Sequence, residues 1–123
     1  MSLTILHVED DQLVADTVKE MLAAHGWQVV SCKDGGAAMQ QLWSPAPFAL
    51  LLVDNQLPDL SGVALVRYVR RQLIGRATIP IIMFSGVDCA GSAYAAGVDV
   101  FLKKPTDSEL LVSTIERLLL RGA

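Results

Sequence analysis

Three features of this sequence predict an α/β domain, a parallel sheet with helices on both faces. Strand-like runs alternate with helical periods along the whole chain. Two of those runs, residues 49–53 and 79–84, are almost purely apolar, as strands covered on both faces are. The length of 123 residues suffices for one core and is too short for two, so residues 1–123 are read as a single domain. Hydrophobic residues make up 52% and charged residues 19%, which argues against disorder, and no apolar run approaches the roughly 20 residues of a membrane span.

Residues 3–8 read as strand β1. Helix α1 follows over 12–25 with apolar or small residues at Leu13, Val14, Thr17, Val18, Met21 and Leu22, and Gly26 stops it. Residues 27–32 supply β2 and 34–43 supply α2, before Pro45 and Pro47 break the chain ahead of β3 at 48–53. Helix α3, at 62–74, carries Val63, Val66, Val69 and Leu73 at helical spacing, and β4 occupies 79–84. A small α4 rich in Ala and Gly, at 89–96, leads through a short β5 at 98–102 to α5 at 107–120. Thr106 and Glu109 form a capping box at the start of α5.

In open parallel sheets, ligands sit beyond the carboxyl ends of the strands where the strand order reverses. Those ends carry Glu9, Asp10 and Asp11 after β1, Asp54 after β3, Ser85 after β4, and Lys103, Lys104 and Pro105 after β5. Carboxylates gathered there repel one another unless a cation neutralises them, and hard oxygen ligands favour Mg²⁺. Metal, hydroxyl and ammonium together are what a dianionic phosphoryl group requires, with Asp54 as the nucleophile. Taken alone, the acids after β1 fit helix capping as well as metal binding. Asp54 is harder to explain away, because a carboxylate directly after a buried run needs a partner to offset its desolvation.

Four segments resemble, in order and at plausible spacing, the receiver domain of two-component response regulators. They are "ILHVEDD" at 5–11, "LLVDNQLPDLSG" at 51–62, "PIIMFSG" at 80–86 and "FLKKP" at 101–105, and the resemblance covers nearly the whole chain. It implies a flavodoxin-like, doubly wound sheet of five parallel strands in the order 2-1-3-4-5. It implies Asp54 as phosphoacceptor, with Glu9, Asp10, Asp54 and the backbone carbonyl of Gln56 holding Mg²⁺, and Asp11 as a helix cap. Ser85 and Lys104 would bind the phosphoryl group, Phe101 would be the aromatic switch residue, and the bond from Lys104 to Pro105 would be cis. The donor implied is phosphohistidine on a histidine kinase or histidine phosphotransfer domain. Such a chain is no enzyme towards separate substrates and promotes only its own phosphotransfer and autodephosphorylation. Its phosphorylation would switch a surface of α4, β5 and α5 for a downstream effector or an output domain outside this chain.

The sequence departs from that pattern in one interval. Nineteen residues lead from Ser85 to Lys104, about three fewer than is usual, nearly one turn at roughly 3.6 residues per turn. A shortened α4, mobile or partly unwound, is expected, since Gly86, Gly91 and Gly97 weaken it. His7 shares the Glu9 side of β1 and is expected to be satisfied by hydrogen bonds rather than to ligate metal.

A net charge of −3 gives no field for nucleic acid, so no direct nucleic-acid contact is expected, and the cluster of Arg67, Arg70, Arg71 and Arg76 reads as a solvated helix face. Trp27, Trp43 and Tyr68 read as packing or surface aromatics. Cys32 and Cys89 fall in no metal spacing, no secretory segment opens the chain, and a cytoplasmic protein free of membrane is expected. The ending "LLLRGA" favours a domain excised from a longer regulator, and Val112 and Leu120 could leave apolar surface on α5 for a homodimer. The competing reading is a receiver-like interaction module that acts without phosphorylation. A haloacid-dehalogenase-type phosphatase is disfavoured because Asp54-Asn55-Gln56 lacks the second acid of D-x-D-x-T.

Overall fold

The computed structural model describes residues 2–121. Its strands are β1 (Thr4–Val8), β2 (Gln28–Cys32), β3 (Phe48–Val53), β4 (Ile81–Ser85) and β5 (Val100–Lys103). Its helices are α1 (Gln12–Ala23), α2 (Gly35–Trp43), α3 (Gly62–Gln72), α4 (Ala90–Ala96) and α5 (Ser108–Arg121), with one 3₁₀ turn at Ile74–Arg76. The strands form one parallel sheet in the order β2-β1-β3-β4-β5, the expected flavodoxin-like arrangement.

Alternation along the strands sorts the core into two layers. Leu6, Val8, Leu51, Val53, Ile81 and Met83 face α2, α3 and α4, where they meet Leu42, Leu65, Val69 and Ala93. Ile5, Leu50, Leu52, Ile82 and Phe84 face α1 and α5, where they meet Val18, Leu22, Leu111 and Ile115. The three central strands are therefore buried on both faces, which is why they read as unbroken apolar runs. No helix among the described residues is long and apolar enough to cross a membrane.

Several local expectations need correction. The buried stripe of α1 is Ala15, Val18 and Leu22, of which Val18 and Leu22 pack on the sheet, while Leu13 is 76% exposed. Asp11 caps the helix through the Leu13 and Val14 N–H groups (3.0 and 3.2 Å). The start of α5 is not a Thr106–Glu109 box. Asp107 Oδ1 accepts the Leu110 N–H at 2.6 Å and is the cap. Helix α3 ends at Gln72 because Leu73 leaves helical geometry and turns into the core, and the 3₁₀ turn follows. Val112 lies in the core and offers no partner surface, whereas Leu120 is 77% exposed.

Helix α4 has seven residues, two turns, as the missing residues predict, and over that length it is continuous rather than unwound. Gly97 ends it at φ +119°, a left-handed cap that a side chain would adopt only with strain.

The loop after β3 returns tightly to start α3. The Gly62 N–H donates to the Asn55 carbonyl at 2.8 Å, and an ideal Cβ at Gly62 would stand 2.2 Å from the Asp54 carbonyl oxygen. Gly62→Ala is therefore expected to lower stability by about 1–3 kcal/mol in urea unfolding, through overpacking against backbone. Gly75→Ala, where nothing lies within 4 Å, should cost far less. Equal losses in the two variants would show that the close approach is not limiting.

Candidate functional site

Sheet register assembles the site. Val8 pairs with Val53, so the residues that follow, Glu9 and Asp54, emerge side by side at the carboxyl edge. The Asp54 N–H donates to the Val8 carbonyl at 3.0 Å and the Glu9 N–H to the Cys32 carbonyl at 2.8 Å, which carries strand geometry through both acids. On the other side, the Lys104 N–H donates to the Ser85 carbonyl at 2.9 Å, extending the pairing of β4 with β5 and aiming the lysine inwards.

The Lys104 Nζ donates to Glu9 Oε1 and lies 3.4 Å from Asp54 Oδ2, and it stands 5.2 Å from the centre of the Phe84 ring. Glu9 and Asp54 are buried, at 4% and 6% exposure, and Asp10 is exposed. One oxygen from each of the three carboxylates lies within 4.8 Å of the others. Burial pushes the Glu9 carboxyl above the usual range, and its hydrogen bond from Lys104 opposes that shift. Three carboxylates facing one ammonium leave an excess of negative charge, and an all-oxygen donor set beside an open cavity of about 520 Å³ fits a hard divalent cation such as Mg²⁺.

The remaining candidates are placed unequally. Gln56 lines the same cavity and donates its N–H to Asp54 Oδ1 at 3.3 Å. Ser85 is fully buried beside it, its Oγ receiving the Val87 N–H at 3.4 Å, and the neighbouring Gly86 lines the cavity instead. Phe101 stands apart, half-buried against the layer of α2, α3 and α4. Lys103 is exposed, and the bond between Lys104 and Pro105 is cis.

Three residues that shape this edge escaped the sequence reading. Asp59 accepts the N–H groups of Gly35 and Gly36, each at 2.8 Å, clamping the loop after β3 to the start of α2, and those bonds hold its carboxyl below the usual range. The consecutive glycines were the available signal, because an ideal Cβ at Gly35 would stand 2.4 Å from Leu60 Cδ2. Asn55 Oδ1 accepts the Val63 N–H at 3.0 Å in the first turn of α3. Tyr94 on α4 accepts the Phe101 N–H at its hydroxyl, 3.0 Å away, for which the sequence held no signal.

A family model described as "Response regulator receiver domain" matches residues 5–116. The chain is 34% identical to the response regulator MprA of Mycobacterium tuberculosis over 98% of its own length and 52% of that protein. It is 29% identical to the cell cycle transcriptional regulator CtrA of Caulobacter vibrioides over 96% of its length and 51% of the relative. The chain thus spans about half the length of these curated relatives. Among solved structures it is similar to a putative response regulator from Chloroflexus aurantiacus, with a TM-score of 0.90 and 30% identity, covering 98% of this chain and 99% of the other.

His7 contradicts its expectation. It is 1% exposed, and its Nδ1 is buried without a hydrogen-bond partner among the described residues. Burial, reinforced by the nearby Lys104 charge, lowers its pKa to about 4, so the folded protein keeps the imidazole neutral. Between the unfolded value of 6.5 and about 4 the unfolded chain binds a proton that the folded one does not, so stability falls as pH drops through that window, by about 3 kcal/mol in all. His7→Leu should be as stable as wild type or more so at pH 7, by about 1–3 kcal/mol, through removal of an unsatisfied polar atom. Its advantage should widen towards pH 4. Parallel pH profiles in chemical denaturation would show that His7 does not titrate in this way.

Proposed function

The chain belongs to the response regulator receiver domain family, and from that premise we propose that Asp54 takes a phosphoryl group from phosphohistidine on a histidine kinase or histidine phosphotransfer domain. The observation that carries this reading is the placement of Lys104 between Glu9 and Asp54 at a cluster of three carboxylates. In the transfer an Asp54 carboxylate oxygen bonds to phosphorus as the bond from phosphorus to the imidazole nitrogen breaks, and the electron pair leaves with the imidazole. Such a displacement needs alignment and charge neutralisation more than bond-making machinery.

Glu9, Asp10, Asp54 and the Gln56 carbonyl would hold Mg²⁺, which when bound supplies positive charge against the phosphoryl oxygens. Lys104 supplies a second positive charge. Its amine, which now pairs with Glu9, is close enough to Asp54 to serve the acyl phosphate with little movement. Ser85, buried at the end of β4, would reach a phosphoryl oxygen with its hydroxyl once that group is present. Hydrolysis of the acyl phosphate returns Asp54 to its carboxylate, with Gln56 and Val87 flanking the approach of water.

Phosphorylation adds nearly two negative charges at the sheet edge, which draws Ser85 and Lys104 towards the phosphoryl group and biases the surface of α4, β5 and α5, with Phe101 as the switch residue. Transmission to an effector or output domain follows from that change. The similarity to regulators about twice this chain's length supports an output beyond the receiver.

Incubation with Mg²⁺ and a small acyl-phosphate donor is expected to add a single phosphoryl group by intact mass. The gain should require the metal and be lost in Asp54→Ala. Absence of a gain while metal still binds would favour the module that acts without phosphorylation, and a gain that persists in Asp54→Ala would move the acceptor elsewhere.

A further inference from the structure

The four arginines clustered in the sequence divide into two kinds. Arg70 is structural: it donates to the carbonyls of Gly97, Ala77 and Ile79 and pairs with Asp99 at 3.1 Å. Arg76 is structural as well, donating to the carbonyls of Leu42, Ser44 and Ala46. Arg67 and Arg71 are exposed on α3, one turn apart, and make no ion pair or side-chain hydrogen bond among the described residues. Neither α2 nor α3 contains an aspartate or glutamate, so this face is positive on a chain of net charge −3.

Tyr68 lines the same stretch of α3 as Arg67 and Arg71, and its hydroxyl accepts the Trp43 indole N–H at 3.0 Å. Trp43 is 65% exposed, and this bond fixes the edge of its ring across the junction of α2 and α3. A shallow depression of about 250 Å³ on α3 is lined by Ala64, Arg67, Tyr68, Arg71 and Gln72, and Trp43 is joined to it through its bond to Tyr68. An exposed, oriented tryptophan with a tyrosine and two unpaired arginines is the residue set that carries binding energy at protein interfaces, and its low side-chain freedom reduces the entropy lost on docking.

We propose that the face of α2 and α3 formed by Trp43, Tyr68, Arg67 and Arg71 docks an acidic, partly apolar segment of a partner protein. Its carboxylates would be spaced like the arginines, about 6 Å along a helix axis at four residues of 1.5 Å rise. Charge complementarity selects the class. Two cations against 13 acidic residues elsewhere on the chain hold too few phosphates for nucleic acid, whose affinity comes chiefly from many such contacts. The surface lies on α2 and α3, away from the cavity of Asp54, and does not depend on phosphorylation.

The test is an NMR titration of the whole ¹⁵N-labelled chain with a short helical peptide that bears two glutamates four residues apart around a leucine. The same peptide with lysines and a short single-stranded oligonucleotide serve as comparisons. The glutamate peptide is expected to shift the Trp43 indole N–H and the amides of 64–72. Arg67→Glu with Arg71→Glu, the milder Arg67→Gln with Arg71→Gln, and Trp43→Ala should each weaken it by about tenfold or more. Asp54→Asn should leave it unchanged. No shift, an equal response to the lysine peptide, binding that survives both arginine pairs, or preference for the oligonucleotide would each overturn the proposal.

Discussion

Two nearly buried carboxylates that share one ammonium group are the constraint on which the rest of this edge depends. Glu9 and Asp54 leave water at the ends of adjacent strands, and Lys104 reaches both. Removing a carboxylate from water without a partner costs several kcal/mol, so the lysine must arrive with the acids or the edge does not close. The sheet guarantees its arrival. Backbone hydrogen bonds at Asp54 and Lys104 extend the strand pairing past its apolar part, so the charged residues are positioned by the same ladder that buries the core. One ammonium against three acids still leaves the cluster short of positive charge, an imbalance that a further cation at this edge would relieve.

A second set of contacts makes the shortened α4 workable. Arg70 on α3 fills the space where a Cβ of Gly97 would stand, 2.8 Å from its Cγ, and binds the Gly97 carbonyl and Asp99. Asp99 in turn accepts the Ile81 N–H at 2.8 Å, at the start of β4. The turn between α4 and β5 is thereby tied to α3 and to the neighbouring strand through polar groups, where a longer helix would add apolar packing. Loss of a turn from α4 removes area from the core, but it leaves the register of β5 and the approach of Lys104 intact.

How much of this was legible in the sequence follows from the physics of each signal. The sheet, its order and the gathering of Glu9, Asp10, Asp54 and Lys104 were readable, because buried parallel strands announce themselves as apolar runs and the charged residues at their ends then share one edge. Helix phase was less so: Leu13 looks like a core residue by spacing, but the buried face carries Ala15, Val18 and Leu22 and leaves Leu13 outside. The capping box at Thr106 failed for a related reason, since Asp107 is an equally good cap one residue later. The partners in contacts between distant segments were hidden, even where paired glycines marked one end of such a contact. Asp59 with the Gly35 and Gly36 amides, and Tyr94 with the Phe101 amide, depend on loop paths that local pattern does not encode. His7 was misjudged because strand alternation gives the side that a residue faces and not whether a partner waits there.

The Tyr94 contact bears on how this edge holds together. Strand β5 is the last of the sheet, so the N–H groups on its outer side have no neighbouring strand, and exposed strand edges invite association with other chains. At Phe101 the hydroxyl of Tyr94 takes that role. A helix of only two turns is thus fastened to the backbone of the edge strand as well as to the core, and the fastening point is the amide of the residue whose ring sits half-buried behind it. Any displacement of the Phe101 backbone must stretch a bond to α4, so α4 and β5 present one mechanically joined surface and not two adjacent ones.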